Sequence, residues 1–301
     1  MPTFDQLRDL LLPMVLYMML PALVGSALIM AALSWIGGAK QAAAGAALAL
    51  IVGAGLGLWL RAAIPDDSPG AALAALNNAL TLIPGESSWN RLPWAVLAAL
   101  CVGRLAYLAD VHSSDGWLLR GGASVAIAWW VLPEDARTEF VWLAPVFAAT
   151  VWATWVFLDR LAVLPGSTSV AICVILALLT AGTVLIQART ARLMDVTIVL
   201  AFAFIGIAIV AYARGVQFDG AVPAIAVVLP SLLLMGERTT YEEIHWSAFV
   251  LPILALLLLT ATLPFTHWPK FRLHLVRLLL ASIPLGIALY LALQAGPVDF
   301  E

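Results

Sequence analysis

Ten long apolar stretches follow one another along the chain, and charged residues are concentrated in the short segments between them. A helix that crosses about 30 Å of hydrocarbon needs roughly 20 mostly apolar residues. Such runs lie near residues 10–36, 42–60, 92–109, 117–132, 140–158, 169–187, 195–213, 221–236, 246–265 and 274–294. The pattern predicts an all-α, polytopic transmembrane helical bundle with about ten spans, or nine, because the fourth and eighth runs are the shortest.

The connections between the runs are short, so residues 1–301 are interpreted as a single integral membrane domain. The longest extramembrane connection is 61–91. Four apolar residues recur within it at helical spacing, at Leu73, Leu76, Leu80 and Ile83. This stripe predicts a short interfacial or re-entrant helix near 70–83.

The composition supports a membrane location, since 63% of the residues are hydrophobic and only 11% are charged. Soluble domains carry roughly 25% charged and about 45–50% apolar residues. A soluble fold of this composition would expose a large apolar surface, whereas lipid solvates such a surface readily. We therefore expect the lipid bilayer as the main partner. The formal net charge of −3 argues against nucleic acid binding.

The basic residues bear on location and orientation. Arginine outnumbers lysine by 13 to two and alanine is abundant, a bias typical of GC-rich bacterial genomes, so we expect a bacterial cytoplasmic (inner) membrane. In a ten-span topology seven basic residues lie on the side of the termini and eight on the other, which does not decide the orientation. The basic connection at 270–277 favours a cytoplasmic position for that loop and both termini outside.

Tryptophan is concentrated at the ends of the apolar runs. Eight of the 12 tryptophans lie at or beside a run end: Trp35, Trp59, Trp89, Trp94, Trp117, Trp142, Trp246 and Trp268. An indole has an apolar ring and a polar N–H, so it settles where hydrocarbon meets the headgroups. The run ends are therefore predicted to lie at the membrane boundaries.

The second span carries a face of small residues. Gly45, Ala49, Gly53 and Gly57 recur every four residues and form one smooth stripe. Small side chains let helix backbones approach closely in lipid, where no hydrophobic force drives helices together. This helix-packing face is interpreted as an intramolecular contact, and the alternative is a contact with a membrane protein partner or with a second copy of the chain.

Two arginines on the third and fourth spans suggest an anion-binding site. Arg104 and Arg120 flank the connection between these spans, and each is predicted to lie roughly 5–8 Å below the same membrane boundary. Tyr107 and His112 lie nearby in the sequence. Two guanidinium groups at this depth can hold a phosphate or a carboxylate. The alternative is that both arginines reach the headgroups and pair with nearby acids.

The connection before the last span is strongly basic. Lys270, Arg272, His274 and Arg277 are predicted to contact lipid headgroups, and a specific pocket for an anionic lipid is the sharper version of this hypothesis.

No motif indicates a metal site, a cofactor or an enzyme. Glu242 and His245 form one Glu-x-x-His pair, but a carboxylate-bridged metal site requires a second copy, which the sequence lacks. Cys101 and Cys173 lie inside apolar runs and are interpreted as small hydrophobic residues. Phosphate-binding loops, zinc-protease motifs and nucleophile elbows are also missing from the sequence. We therefore expect neither a catalytic site nor a cofactor.

One segment resembles a known family. Residues 234–250 run from Leu-Met-Gly-Glu-Arg into an apolar stretch. In a chain with ten spans, this segment resembles the Gly-Glu-bearing connection before the last span of the drug/metabolite transporter superfamily. That family repeats the pattern in each half, whereas the candidate partner here, Pro133-Glu134-Asp135, lacks the glycine. The connection 61–91 is also longer than the compact family layout, so the resemblance implies a carrier but not membership.

Two functional hypotheses from different classes follow from the sequence. The first is a small permease or carrier of a neutral or amphipathic molecule, with a lipid-like substrate as one option and Arg104 and Arg120 holding an anionic group. The second is a non-catalytic structural or scaffold subunit of a larger membrane complex. The near absence of polar residues within the spans suits both hypotheses.

Overall fold

A computed structural model describes residues 12, 14–63, 88–108, 114–132, 142–164, 166–240 and 244–294. These residues are almost entirely helical and include no β-strand, which confirms the predicted all-α helical bundle. The predicted short helix near 70–83, within the connection 61–91, lies outside the described residues.

Every predicted apolar run coincides with a helix in the described part of the chain. The helices are α1 (Val15–Ile36), α2 (Gly45–Leu58), α3 (Ser88–Leu108), α4 (Ser114–Val131), α5 (Leu143–Val163), α6 (Ser167–Gln187), α7 (Ala191–Arg214), α8 (Val222–Thr239), α9 (Ser247–Leu258) and α10 (Lys270–Gln294). A short 3-10 turn, Asp219–Ala221, leads into α8, and α9 continues as a 3-10 segment, Leu259–Phe265.

The first two helices form an antiparallel hairpin, although the backbone is helical from Leu20 to Ala63. A Cβ placed on Gly53 would lie 2.7 Å from the carbonyl oxygen of Ala22. In a straight helix these two residues would be roughly 45 Å apart. The chain therefore reverses direction between α1 and α2.

Seven helices among the described residues are long and apolar enough to cross a membrane, namely α1 and α5 to α10 with their flanking turns. The apolar parts of α2 and α3 are shorter, at Gly45–Leu58 and Trp94–Leu105. Asp115 and Arg120 lower the hydropathy of α4. The chain is therefore a multi-pass membrane protein.

Helix α8 lies at the centre of the bundle and is in contact with α3, α5, α6, α7 and α9. In the apolar 18-residue segment of α8, 83% of the residues are buried within the protein, compared with 22% in the corresponding segment of α1. Small and branched residues fill α8 on all sides, which allows its neighbours to surround it. We name the two membrane faces after residues at the two ends of α8: the Asp219 face, where this helix begins, and the Glu237 face, where it ends.

The outer helices turn large apolar side chains away from the bundle. On α10, Leu279, Ile283 and Tyr290 are all more than half exposed. A soluble protein rarely exposes such a continuous apolar surface, whereas in a membrane the same side chains meet lipid.

The turn between α5 and α6 follows from a proline that restricts the residue before it and from a glycine that accepts an unusual backbone conformation. Leu164, which precedes Pro165 in the sequence, has an extended backbone with ψ 158°. Gly166 then adopts φ +82°, a conformation that other residues rarely accept. The turn brings the start of α6 beside α10, where the Gly166 carbonyl contacts Arg277.

Candidate functional site

A buried ion pair joins α4 to α5 near the Asp219 face. Nη2 of Arg120 lies 2.8 Å from Oδ2 of Asp159, and the two side chains are only 3% and 13% exposed. Arg120 also donates a hydrogen bond to the carbonyl oxygen of Gly116 at 3.3 Å. The Arg120 guanidinium is therefore already neutralised by a carboxylate within the protein.

The two arginines of the predicted anion site lie in different environments. Arg104 is exposed near the end of α3, whereas Arg120 is buried in the ion pair with Asp159. Asp219 attracts Arg104 and repels Asp159, so these acidic and basic side chains belong to one charged cluster. The His112 residue and the side chain of Tyr107 lie outside the described part of the structure.

Two aromatic side chains pack together on the same two helices, α4 and α5, as the ion pair. The rings of Trp117 and Trp152 pack edge to face with their centroids 5.6 Å apart. The Arg160 guanidinium lies over the Trp117 ring, 5.0 Å from its centroid. This arrangement stabilises a partly buried cation at the membrane boundary.

Two buried hydroxyl groups lie one turn deeper in the bundle. Ser124 and Thr154 are fully buried, and neither hydroxyl has a hydrogen-bond partner among the described residues. Other hydroxyls of the spans donate to the carbonyl one turn earlier, as Thr197 and Ser231 do at 2.7 and 2.6 Å. Burial without a partner costs stability.

A second buried arginine holds three helices together. The side chain of Arg277 on α10 is fully buried. Its Nε donates to the Thr262 hydroxyl at 3.0 Å, and its Nη1 donates to the Gly166 carbonyl at 2.9 Å. Ser169 at the start of α6 lies 3.5 Å from the same nitrogen. Arg277 therefore connects α10 to the end of α9 and the start of α6.

The residues predicted to contact headgroups differ in exposure. Lys270 and Arg272 are exposed, and His274 is partly buried. Arg277 is buried among neutral acceptors, whereas a headgroup contact requires an exposed guanidinium. The structure thus separates Arg277 from the other three members of the predicted group.

A groove of about 490 Å³ opens towards lipid near the Glu237 face. It lies between α5, α8 and α9, and its wall is almost entirely apolar. Its apolar lining includes two residues from each of the three helices: Val146, Phe147, Pro230, Leu234, Val250 and Leu254. Its volume lies within the range of about 300–1,000 Å³ that is typical of small-molecule sites.

The charged residues in the described lining of this groove lie at its membrane-boundary end. Glu237 and Arg238 line it there, with 3.3 Å between the Arg238 Nε and the Glu237 Oε2. About a third of each side chain is exposed, at 37% for Glu237 and 32% for Arg238. Trp142 and Trp246, both more than half exposed, line the same end. The groove therefore combines an apolar interior with a charged, aromatic mouth.

A larger recess of about 580 Å³ lies between α6 and α7, on the side of the Asp219 face. Its lining includes Ser167, Thr168, Tyr212 and Gln217, but no charged residue among those described. Of these two cavities, the groove at the Glu237 face is the one with charged residues in its described lining.

The small-residue face of α2 packs against the chain's own first helix. A Cβ on Gly57 would lie 2.6 Å from the carbonyl oxygen of Met18, and one on Gly45 would overlap with Leu33. Ala49 is fully buried, and Gly53 lies against Ala22 as described above. In the described structure this face is thus covered by α1.

His245 lies at the start of α9. Its Nδ1 is 2.7 Å from the Ser247 hydroxyl and accepts a hydrogen bond from the Ser247 backbone at 3.4 Å. Glu242, the other member of the Glu-x-x-His pair, lies outside the described residues.

Sequence reasoning missed Asp159 and the groove. Asp159 directly follows the predicted run 140–158, so the hydrophobic pattern places it outside the span, yet α5 continues to Val163. The signal that was available is the i, i+4 spacing of Trp155 and Asp159, which places both on one helix face. No pattern within a single helix predicts the groove, because three helices form it.

No protein-family model matches this chain, and no curated protein sequence matches it.

Proposed function

We propose that the protein is a small membrane carrier of an amphipathic, lipid-like molecule, whose apolar part occupies the groove between α5, α8 and α9. The observation that carries this proposal is the combination of an apolar wall, exposure to lipid and charged residues at one end only. An amphipathic molecule has the same division into an apolar part and a polar end.

The mouth of the groove supports the assignment of the polar end. Glu237 and Arg238 lie where α8 leaves the apolar part of the bundle, and Trp142 and Trp246 are the residue type that settles at headgroup level. In this proposal the polar end meets Glu237 and Arg238. Arg120, which the sequence predicts to hold the anionic group of the substrate, has no such role in this proposal, because its guanidinium is bonded to Asp159.

The proposal places the protein in a bacterial cytoplasmic membrane with both termini outside. The exposed Lys270 and Arg272 lie at the Asp219 face, which supports a cytoplasmic position for that face. The mouth of the groove then opens at the outer leaflet, and the carrier accepts or releases its molecule there.

Filling the groove tests the proposal. Val146→Trp places an indole in the groove wall, and Ile283→Trp places the same group on the outer surface of α10 as a matched control. The probe is a pyrene-labelled lysophospholipid, added to purified protein in nanodiscs. We expect saturable binding that weakens by about tenfold or more in Val146→Trp and is unchanged in Ile283→Trp.

Carrier activity requires movement as well as binding. In vesicles that contain the protein, the probe should equilibrate between leaflets faster than in protein-free vesicles, and Val146→Trp should abolish this difference. Equal binding by both tryptophan variants, or equal equilibration with and without the protein, would contradict the proposal.

A second candidate function is a non-catalytic subunit of a larger membrane complex. The centre of the bundle favours it, because the gap between α2, α6, α7 and α8 is only about 10 Å³ and is lined by apolar residues such as Leu50, Leu178 and Val228. Such a gap is too small and too apolar to hold water. Native mass spectrometry in mild detergent tests this function, since a subunit retains stoichiometric partners and a carrier that acts alone does not.

A further inference from the structure

The recess between α6 and α7 has an apolar interior and a polar end. The interior is lined by six aliphatic residues: Ala171, Ile172, Ile175, Ile205, Ala208 and Ile209. The polar end lies where α6 begins and α7 ends, and its polar side chains are Ser167, Thr168, Tyr212 and Gln217. From the first to the last lining residue of α6 the helix rises by about 12 Å, less than half of the roughly 30 Å of hydrocarbon. The recess therefore lies within one leaflet, at the Asp219 face.

The polar end offers hydrogen bonds without a formal charge. Its three hydroxyl groups and its one amide can each both donate and accept. In the described part of the chain no other group bonds to these four side chains. They are therefore available to a ligand that carries donors and acceptors of its own.

Two charged residues lie next to the lining in the sequence but outside the described wall of the recess. Arg214 is exposed at the end of α7 and is not part of that wall. Asp219 directly follows the last lining residue, yet it interacts with Arg104 and Asp159 in the charged cluster. A ligand in the recess thus meets no opposite charge in the described wall.

This chemistry favours one class of amphiphile. A charged headgroup loses part of its hydration on entering the recess, and no opposite charge in the described wall compensates for that cost. A quinone carries only acceptors, so it leaves the acceptors of the wall unused. An acylglycerol has hydroxyl donors and ester carbonyl acceptors beside an apolar chain.

We infer that the recess binds an uncharged acylglycerol, with its acyl chain in the interior and its glycerol end at the four polar side chains. This second site is independent of the groove at the Glu237 face.

A photoactivatable lipid locates the site on the unmodified protein. The probe is a monoacylglycerol with a diazirine in its acyl chain, added to purified protein in nanodiscs, and its crosslinks are mapped by mass spectrometry. We expect crosslinks within residues 167–175 and 205–218 that an excess of unlabelled monoacylglycerol abolishes. Crosslinks to the exposed side of α10 report contact with bulk lipid and should resist this competition.

A single phosphate group tests the preference for an uncharged end. Lysophosphatidate with the same acyl chain differs from the monoacylglycerol only by this phosphate. It should displace the probe from the recess only at about tenfold higher concentration. Displacement at equal or lower concentration would show that the recess does not select an uncharged end, and would overturn the assignment.

Variants separate the interior of the recess from its polar end. Ala208→Trp fills the interior and should abolish the competed crosslinks, whereas Ile283→Trp on the outer surface of α10 should leave them unchanged. The double variant Ser167→Ala with Thr168→Ala should weaken monoacylglycerol binding by about tenfold, because two hydrogen-bonding groups are lost. Thr183→Ala removes a hydroxyl from the far half of the same helix, outside the recess, and should have no effect.

The pattern of crosslinks decides between the possible occupants. Competed crosslinks on α5, α8 and α9 would place the acylglycerol in the groove and exclude a site between α6 and α7. Crosslinks in the recess that no competitor removes would show only bulk lipid there, with the same consequence. Should Ala208→Trp fail to fold, the competition measured on the unmodified protein still decides.

Discussion

Arg120 on α4 and Asp159 on α5 form an ion pair of 2.8 Å within the bundle, and less than a seventh of either side chain is exposed. Each charge compensates the other in surroundings that water barely reaches. Removing one partner of such a pair leaves a buried charge without compensation, which is more costly than replacing both.

Single substitution of this pair should destabilise the protein strongly. We expect Asp159→Ala to lower the free energy of unfolding by about 3–5 kcal/mol, because Arg120 then loses its carboxylate. The double variant Arg120→Leu with Asp159→Leu should lie closer to wild type. Thermal unfolding in detergent measures both, and Arg214→Ala at the exposed end of α7 is the control. A double variant less stable than Asp159→Ala would contradict this account.

Two glycines of α2 should respond in opposite ways to an added methyl group. Gly53→Ala places a Cβ 2.7 Å from the Ala22 carbonyl oxygen and should cost about 1–3 kcal/mol. Gly55 has open space in the same direction, so Gly55→Ala should be neutral or stabilise the helix by up to about 1 kcal/mol. The midpoint of thermal unfolding compares them, and equal effects would show that the hairpin contact is wrong.

The Arg277 contacts should be sensitive to the shape of the cation. Arg277→Lys retains the charge, but a single ammonium cannot reproduce the fork that reaches both Gly166 and Thr262. We expect a loss of about 1.5–3 kcal/mol, the value for a hydrogen bond to a charged group. The exposed Arg272→Lys should leave stability unchanged. Comparable melting temperatures for the two variants would refute the role of Arg277 as a connection between helices.

The buried hydroxyl of Thr154 should be dispensable for stability. Thr154→Val replaces it with a methyl group of similar size, and we expect a gain of about 1 kcal/mol because no described residue bonds to that hydroxyl. Thr197 is equally buried, but its hydroxyl donates to the Leu193 carbonyl at 2.7 Å, so Thr197→Val should lose stability. A lower melting temperature for Thr154→Val would indicate a bonding partner for this group.

The two ends of α8 should label from opposite sides of the membrane. Gln217 and Thr239 are exposed residues on either side of this helix. In a protein without its native Cys101 and Cys173, Gln217→Cys should react with a membrane-impermeant maleimide only from the cytoplasmic side, and Thr239→Cys only from outside. Labelling of both from one side would exclude a membrane-crossing α8, and the reversed pattern would invert the proposed orientation.

The candidate site shows where sequence reasoning stops. Arg104 and Arg120 have the same predicted depth, and depth follows from counting residues along each helix. Their different burial depends on how α4 is rotated about its axis, which its own sequence does not specify. The hydrophobic pattern ends the fifth span at residue 158 and therefore leaves Asp159 outside it. In the structure α5 extends beyond its most apolar part, to Val163, and includes Asp159.

The helices and their membrane-crossing character were determined by the sequence itself, because hydrophobicity and backbone hydrogen bonding act over a few neighbouring residues. The position of each helix in the bundle was decided only by the tertiary structure. Both α1 and α8 are apolar enough to cross a membrane, yet 22% of the apolar segment of α1 and 83% of that of α8 are buried within the protein. In a membrane, an apolar side chain gains no hydrophobic free energy by moving from lipid hydrocarbon to protein. Close packing of small residues and the pairing of buried charges therefore select the arrangement of the helices.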